Sequence, residues 1–223
     1  MNVRNKGIFI TGTDTGVGKT YVACGIAKAL KERGVDVGVM KPAETGCRRR
    51  LGRLFPSDAA RLMKSACTRD SLDHVNPYRF SKPLSPYAAA GLEGKSIDPD
   101  GIRKAFCVLS RRHDFMIVEG AGGIMVPLSQ NYLYLDLAAD LGLPVVIVAR
   151  PCLGTINHTL LTVSAIRKRR LKIAGVVINY AKAWKEGLAE RTSPTAIEAI
   201  SGVTLLGVVR NRGVNFDEII KAL

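Results

Sequence analysis

Residues 6–30 contain the feature that most limits how this chain can fold. The short apolar run 6–10 leads directly into the glycine-rich loop 12–20, GTDTGVGKT, and residues 22–30 follow a helical pattern. A strand, a turn ending in Gly-Lys-Thr and a helix together make a triphosphate cradle, because backbone N–H groups and the helix N-terminus face the phosphates. The lysine neutralises charge and the threonine hydroxyl can reach Mg²⁺. The segment therefore predicts binding of a nucleotide triphosphate and transfer of its γ-phosphate.

The loop is one residue longer than the common phosphate-binding motif. That motif places four residues between its first glycine and Gly-Lys-Thr, whereas residues 13–17 separate Gly12 from Gly18. The alternative is a glycine-rich turn that opens an ordinary helix. The strand before the loop and the helix after it favour the phosphate-binding interpretation, and the longer loop narrows the group of P-loop proteins.

Length and composition indicate a single domain spanning residues 1–223. The chain has 223 residues, 47% hydrophobic content and a mean hydropathy of +0.10, which is typical of a compact α/β protein. It has no apolar stretch long enough to cross a bilayer and no apolar secretion signal before the first strand. The five cysteines stand singly, as reduced thiols do. We therefore expect a cytoplasmic protein without a membrane partner.

The formal net charge of +14 comes largely from two basic clusters, at residues 48–53 and 167–172. The second cluster lies where a predicted helix ends, and cations there complement the helix dipole. The first follows a predicted catalytic loop, where a polyanion would bind. Neither cluster has interleaved aromatic residues that would stack on bases. We expect solvated basic faces that assist anionic substrates, and we do not expect nucleic-acid binding.

Short Val/Ile-rich runs alternate with helical segments along the whole chain. The predicted strands are 6–10, 35–40, 115–118, 144–149, 173–178 and 204–209, and the predicted helices are 22–30, 58–67, 102–112, 135–141, 157–169 and 195–201. This alternation predicts an α/β, three-layer P-loop NTPase fold, with a mostly parallel sheet and helices on both faces. Ligands of such sheets bind beyond the carboxyl ends of the strands, so the residues after each strand are the site candidates.

Several of these strand-end residues suit phosphate chemistry. Lys41 should open onto the same crevice as Lys19, where two ammonium groups can neutralise an anionic acceptor and the transferring phosphoryl group. Glu119 could hold Mg²⁺, although a glycine turn with an exposed acid has the same sequence. Asp58 begins a helix, so it could cap that helix or share the Mg²⁺. Asn179 carries both a donor and an acceptor and can read a base edge.

The motifs together resemble those of the dethiobiotin synthetase family. The matching segments, in the order and spacing of that family, are GTDTGVGKT at 12–20, KPAETG at 41–46, SDA at 57–59, VNPY at 75–78, VEGAGG at 118–123, PL at 127–128 and LGTINH at 153–158. The resemblance runs from Phe9 to about Asn179. It implies a cytosolic, homodimeric enzyme of biotin biosynthesis that uses ATP and Mg²⁺ to close a cyclic urea on 7,8-diaminononanoate with CO2. The implied intermediates are a carbamate and a carbamic–phosphoric anhydride.

The resemblance also implies roles for individual residues. Lys19 and Lys41 would be catalytic and hold the carbamate and phosphates, and the Mg²⁺ ligands would be Thr20, Asp58 and Glu119. The nucleotide would be bound by Gly16, Val17, Gly18, Lys19, Thr20, Tyr21, Asp58, Glu119, Gly120, Ala121, Gly122, Asn179 and Arg210. The substrate would be bound by Thr45 and, at a helix N-terminus of the partner subunit, by Gly154, Thr155, Ile156 and Asn157.

The sequence differs from the family pattern at two places, and it leaves one alternative function open. Many relatives have Glu where Gly16 stands, and residues 210–212 replace a proline-led segment that borders the base, which leaves the base preference open. The alternative function is that of a MinD/ParA-type P-loop ATPase, which binds a protein, membrane or DNA partner. Those proteins carry a second lysine five residues before the catalytic one, and here Asp14 occupies that position.

Overall fold

The computed structural model describes residues 7–180, 187–210 and 216–223. In chain order its elements are β1 (Gly7–Gly12), α1 (Lys19–Glu32), β2 (Val37–Met40), β3 (Ala43–Glu44), β4 (Arg48–Arg50), β5 (Arg53–Phe55), α2 (Ser57–Ala66), α3 (Leu72–Val75), β6 (Tyr78–Arg79), α4 (Pro86–Leu92), α5 (Pro99–Ser110), β7 (Phe115–Gly123), β8 (Pro127–Ser129), β9 (Tyr132–Leu133), α6 (Tyr134–Leu141), β10 (Val145–Ala149), α7 (Thr155–Lys168), β11 (Ile173–Asn179), α8 (Leu188–Ser201), β12 (Leu205–Val209) and α9 (Phe216–Ala222).

Six of these strands form one parallel sheet in the order β12-β11-β10-β1-β7-β2. Every residue of β1, β2 and β10 is buried, so helices cover both faces of the sheet. Helix α1 contacts α2 and α9, α5 contacts α6, and α7 contacts α8. The predicted α/β fold with a mostly parallel, doubly covered sheet is confirmed.

Strand β1 lies in the middle of the sheet and delivers the glycine-rich loop to its centre. It pairs with β7 on one side, where Ile10 lies opposite Glu119, and with β10 on the other, where Gly12 lies opposite Val148. Because the strands are parallel, the carboxyl ends of β2, β7, β1 and β10 lie at the same edge of the sheet. Residues far apart in sequence therefore reach a common crevice.

Several predicted boundaries differ from the observed ones. Strand β7 continues through the glycine turn to Gly123, because Gly123 pairs with Gly12 of β1. The helix predicted at 195–201 begins at Leu188 and includes Pro194, although proline usually marks a helix boundary. The hydroxyl of Ser193 donates to the Ala189 carbonyl oxygen one turn earlier, a bond that often accompanies a bend.

The first basic cluster forms an exposed hairpin, β4–β5, that the sequence did not predict. Its turn has left-handed backbone angles at Leu51, with φ of 50°, and at Gly52, with φ of 77°. Arg49 Nη1 donates to the Gly52 carbonyl oxygen at 2.7 Å and closes the turn. Within residues 7–180, 187–210 and 216–223, no helix is both long and apolar enough to cross a membrane.

Candidate functional site

The strand ends and the glycine-rich loop surround a cavity of about 720 Å³. Lys19 and Lys41, which come from different elements, both line it. The other lining residues are Thr15, Gly16, Gly18, Thr20, Tyr21, Glu44, Thr45, Asp58, Arg61, Pro83, Leu84, Ser85, Pro86, Glu119, Ala121, Gly122, Val126 and Asn179. The sequence-based expectation that the two lysines share one pocket is thus met by the geometry.

The glycine-rich loop has the backbone shape of an anion cradle. Gly16 and Gly18 adopt left-handed conformations, with φ of 74° and 88°, which glycine tolerates without strain. A Cβ atom at Gly12 would lie 2.8 Å from the Asp14 carbonyl oxygen and 3.0 Å from Lys19 Nζ. Gly18 is the N-cap of α1 and has no side chain to cap it, so the helix N-terminus is available to phosphate oxygens.

Lys41 is almost fully buried, with 4% exposure, and two carboxylates neutralise it. Its Nζ lies 2.5 Å from Glu119 Oε1 and 3.7 Å from Asp58 Oδ2, and it donates to the Gly120 carbonyl oxygen at 3.2 Å. Burial by itself lowers the pKa of Lys41, but the charges of Glu119 and Asp58 outweigh it and raise the pKa above the usual value. Lys41 is therefore an ammonium ion at neutral pH.

For Lys19, the effect of burial on the pKa outweighs the effect of the nearby carboxylates. Lys19 is 7% exposed and donates to the Asp14 carbonyl oxygen at 3.3 Å. Burial, followed by the positive charge of Lys41, lowers the pKa of Lys19 to about 8. An anion that enters the cavity would counter both effects, so the pocket favours a negatively charged ligand.

The side chains of Thr20, Asp58 and Glu119 fit a Mg²⁺ ion. Thr20 Oγ1 donates to Glu119 Oε1 at 2.8 Å, while Glu119 Oε2 is buried and has no hydrogen-bond partner among the described residues. Mg²⁺ prefers such oxygens and is commonly bound by one or two carboxylates together with nucleotide phosphates. No group of three or more His, Cys, Asp or Glu side chains in the described part of the chain could hold a metal ion.

Two residues that the sequence analysis did not select support this site: Glu44, which also lines the cavity, and Asn76, which does not. The Glu44 carboxylate accepts hydrogen bonds from the backbone N–H groups of Asp58, at 2.9 Å, and Ala59, at 3.0 Å. Burial raises the pKa of Glu44. Asn76 Nδ2 donates to the Lys41 carbonyl oxygen at 2.6 Å, and Lys41 N donates to the Val75 carbonyl oxygen at 2.7 Å. Both residues lie in the family motifs, but their contacts join segments that are distant in sequence.

The glycine-rich loop is also fastened to two strand ends. Asn179 Nδ2 donates to the Val17 carbonyl oxygen at 2.8 Å while the residue also lines the cavity. Arg150, at the end of β10, donates from Nη2 to Asp14 Oδ2 at 2.8 Å and to the Thr15 carbonyl oxygen at 3.0 Å. Asp14 therefore binds an arginine of its own chain at the position where MinD/ParA-type proteins carry their second lysine.

Some of the predicted site residues are not among the described residues that line the cavity: Val17, Gly120, Gly154, Thr155, Ile156, Asn157 and Arg210. Val17 and Gly120 are buried. Residues 154–157 form the start of α7, where Gly154 is the N-cap with φ of 92°. The Arg210 guanidinium lies 5.2 Å from the centre of the Tyr180 ring. Residues 211 and 212, which belong to the segment expected near the base, lie outside the described residues.

One wall of the cavity was not expected from the rule that ligands bind beyond the carboxyl ends of the strands, which is called the strand-end rule below. Residues 83–86, which precede and begin α4, line it together with Arg61 of α2. This stretch is rich in proline, and nothing in its sequence indicates a ligand-binding wall. The strand-end rule cannot find such residues, because they reach the site from a crossing segment.

The comparisons with known proteins agree with these motifs. The protein family described as "AAA domain" matches residues 6–214. A relative from Thermodesulfovibrio yellowstonii named "ATP-dependent dethiobiotin synthetase BioD" is 43% identical, covering 91% of this chain and 88% of its own. Relatives with the same name from Bacillus licheniformis and Methanocaldococcus jannaschii are 48% and 41% identical, covering 91% and 96% of this chain and 85% and 100% of their own.

Solved structures show the same fold at much lower identity. A ParA family ATPase from Chlorobium tepidum has a TM-score of 0.57 and 13% identity, covering 98% of this chain and 90% of its own. The MinC:MinD complex of Aquifex aeolicus has a TM-score of 0.58 and 18% identity, and the match covers 97% of this chain and 86% of its own. At that identity the comparison shows a shared fold. The identity of 41–48% over nearly the whole chain goes further: this protein belongs to the family of ATP-dependent dethiobiotin synthetases.

Proposed function

We propose that this protein forms dethiobiotin by closing a cyclic urea on 7,8-diaminononanoate, with CO2 as the carbon source and ATP as the driving reactant. The main structural support is the cavity that Lys19 and Lys41 share with Thr20 and Glu119. The named relatives support ATP-dependent dethiobiotin synthesis as the reaction. A pocket with two ammonium groups suits a reaction in which two anions must meet.

The proposed reaction has three steps. One neutral amine of the substrate attacks CO2, forms an N–C bond and loses a proton, which gives a carbamate anion. A carbamate oxygen then attacks the γ-phosphorus and displaces ADP, which gives a carbamic–phosphoric anhydride. The second amine attacks the anhydride carbonyl carbon, expels inorganic phosphate and loses its proton as the ring closes.

Positive charge is the main requirement of the second step. The carbamate and the triphosphate repel each other, and charge builds on the transferring phosphoryl group as the bond breaks. Lys41, which is charged at neutral pH, would bind the carbamate, and Lys19 would bind the phosphates. Thr20, Asp58 and Glu119 would hold Mg²⁺, which neutralises phosphate charge when it is bound. No general base is needed for this nucleophile.

The substrate site is proposed to extend beyond one chain. Thr45 lines the cavity, where its hydroxyl would contact the substrate. The start of α7 at residues 154–157 does not line the cavity described in this chain, yet a helix N-terminus favours a carboxylate. In the proposed homodimer, α7 of the partner would receive the distal carboxylate of the substrate.

A product assay tests the function directly. Purified protein is mixed with 7,8-diaminononanoate, ¹³C-labelled bicarbonate and MgATP, and the product is analysed by mass spectrometry. We expect dethiobiotin that carries the label, with ADP and phosphate formed in equal amounts. Reactions without the diamine or without bicarbonate are the controls. ATP hydrolysis that ignores the diamine and responds to DNA or lipid vesicles would contradict the proposal in favour of a MinD/ParA-type function.

A further inference from the structure

Helix α2, which carries Asp58, is capped by a side chain from a different element. Its own N-cap residue is Pro56, which makes no side-chain cap. Instead, Glu44 Oε1 accepts from the Asp58 N–H at 2.9 Å and from Ser57 Oγ at 3.4 Å, and Glu44 Oε2 accepts from the Ala59 N–H at 3.0 Å. A carboxylate at a helix N-terminus is favoured both by the free N–H groups and by the helix dipole.

Glu44 itself is anchored in a strand pair, and its charge acts on Lys41. It belongs to strand β3, where it pairs with Arg79 of β6, and its carbonyl oxygen accepts from the Phe80 N–H at 2.9 Å. The residue is 4% exposed. It follows Lys41 by three positions in the chain. The Glu44 carboxylate therefore links the segment that carries Lys41 to the helix that carries Asp58.

Capping the N-terminus of α2 does not by itself require a side chain from another element. The helices α3, α4 and α5 are capped by the local residues Ser71, Ser85 and Asp98. Burying a carboxylate is costly unless its oxygens are satisfied, and a local Ser or Asp at position 56 would cap α2 without that cost. What the distant carboxylate adds is a fixed relation between α2 and the site.

We propose that Glu44 is a positioning residue that fixes the Asp58 carboxylate for its contacts with Mg²⁺ and Lys41. The inference rests on the proposed function, in which Asp58 is a Mg²⁺ ligand. The Asp58 Oδ2–Lys41 Nζ distance of 3.7 Å is the contact that Glu44 maintains. Side chains that hold metal ligands in place influence metal affinity and turnover without touching the metal.

The first measurement is metal binding without turnover. Mn²⁺ binding to the full-length protein, saturated with a non-hydrolysable ATP analogue, is followed by electron paramagnetic resonance. In Glu44→Gln the amide nitrogen cannot accept the Ala59 N–H bond. We expect this variant to bind Mn²⁺ about tenfold more weakly than the wild type. In the product assay we expect kcat to fall by a similar factor, with KM for the diamine within about twofold.

The matched control is Asp98→Asn. Asp98 caps α5 with both oxygens, on the N–H groups of Asp100 at 2.9 Å and Gly101 at 3.1 Å, and it is not among the described residues that line the cavity. This variant loses a comparable cap, so its unfolding midpoint should fall while its Mn²⁺ affinity stays at the wild-type value.

A second pair of variants separates capping from positioning. Glu44→Ala removes the distant cap, and Glu44→Ala/Pro56→Ser adds a local one. We expect the added serine to recover the unfolding midpoint and to leave Mn²⁺ affinity about tenfold weak. Recovery of both, or wild-type Mn²⁺ affinity in Glu44→Gln, would overturn the proposal. A wild-type protein that makes no dethiobiotin would contradict the proposed function instead, and the Mn²⁺ measurement would still test the role of Glu44.

Discussion

The Lys41 ammonium group has a role in stability and, in the proposed reaction, a role in catalysis. Its contacts with Glu119 and Asp58 keep it charged inside the protein. The same contacts mean that removing the ammonium leaves the buried Glu119 carboxylate, and the partly exposed Asp58 carboxylate, without their counterion. Loss of activity in a Lys41 variant must therefore be separated from loss of folding.

We predict that Lys41→Met lowers kcat by about 10²–10³-fold, because the carbamate and the transferring phosphoryl group lose a fixed positive charge. The free energy of unfolding, measured in urea, should fall by about 3–5 kcal/mol, since Glu119 stays buried without its partner. The control Lys41→Met/Glu119→Gln should regain much of that stability and no activity. Near-normal product formation by Lys41→Met would remove Lys41 from the mechanism.

Lys19 leads to a prediction about protons. Its pKa of about 8 in the free protein should rise when the triphosphate binds, so binding at pH 8 should take up about half a proton, and binding at pH 6.5 almost none. Calorimetry in buffers of different ionisation enthalpy measures this uptake. Lys19→Arg stays charged at both pH values and should abolish it. Equal proton uptake at the two pH values would contradict the assignment.

Sequence reasoning found the residues with local signals and missed those defined by contacts. Lys19 and Thr20 belong to a motif, and Lys41 and Glu119 follow buried strands, so pattern and fold class together placed them at one edge. Glu44 lies in the KPAETG segment, but no local pattern indicates what its carboxylate does, because that depends on where α2 begins relative to β3. Folding brings its carboxylate to the N–H groups of Asp58 and Ala59.

Among the elements, the packing of α9 on α1 depends on one glycine. A Cβ atom at Gly25 would lie 2.1 Å from the Phe216 ring. Phe216 also packs on Tyr21, with ring centres 6.2 Å apart, and Arg33 binds Asp217 at 2.9 Å. Tyr21 lines the cavity, so α9 supports one edge of that cavity.

We predict that Gly25→Val displaces Phe216 and lowers the free energy of unfolding by roughly 1–3 kcal/mol, because the core has no space for the added atoms. Gly91→Ala in α4 is the control, since nothing lies within 4 Å of a Cβ atom there; it should raise stability by up to about 1 kcal/mol. Chemical denaturation measures both. A Gly25→Val protein as stable as the wild type would refute the tight packing.

A cluster at the opposite end of the sheet makes stability depend on pH. His113 Nε2 lies 2.7 Å from Asp70 Oδ2, and Thr68 Oγ1 donates to the same carboxylate at 2.5 Å. Burial opposes ionisation of Asp70, but the hydrogen bonds from Thr68 and His113 outweigh it and lower its pKa. A depressed pKa contributes stability above the unfolded-state value of about 3.9, and that contribution is lost as the pH falls through the folded-state value.

We therefore predict that Asp70→Asn is less stable than the wild type at pH 5 and that this difference narrows between pH 4 and pH 3. Urea denaturation across that range measures it. Asp73→Asn is the control, because Asp73 is 81% exposed in its ion pair with Arg79; it should change the free energy of unfolding by at most about 1 kcal/mol. A constant difference for Asp70→Asn would exclude this linkage.

The types and order of the main elements were predictable because period and composition are local properties. The boundaries of these elements were less predictable, because tertiary contacts determine where an element begins and ends. Strand β7 extends to Gly123 only because β1 is there to pair with it, and α8 passes through Pro194 because Ile197 and its neighbours pack against the core. The β4–β5 hairpin lacked the Asn-Gly or Asp-Gly signal that usually marks such turns.

At the scale of the whole molecule, the proposed shared site can be tested with mixed subunits. Lys41→Ala should inactivate the catalytic half of a site, and Asn157→Asp should repel the substrate carboxylate at the start of α7. Neither variant alone should be active. Equal mixing after subunit exchange should restore about a quarter of wild-type activity, because half of the twofold-symmetric dimers then have one intact site. No recovery, with exchange verified by mass spectrometry, would mean that each chain builds its own site.

The two basic clusters that contribute to the net charge of +14 have defined places in the structure. The first basic cluster lies on the exposed β4–β5 hairpin, and the second lies at the end of α7, where Arg167 Nη2 donates to the Ser201 carbonyl oxygen at 2.7 Å. Arg167 and Lys168 complement the C-terminal end of the α7 dipole.

The bond from Glu44 to the start of α2 has a consequence for the chain between them. The two ends of segment 45–56 are joined by the hydrogen bonds that Glu44 accepts from Asp58 and Ala59. The β4–β5 hairpin within that segment therefore projects from a fixed base. Its tip at Leu51 and Gly52 is exposed. We therefore expect that tip to accept inserted residues, such as a fluorescent reporter, without loss of the fold.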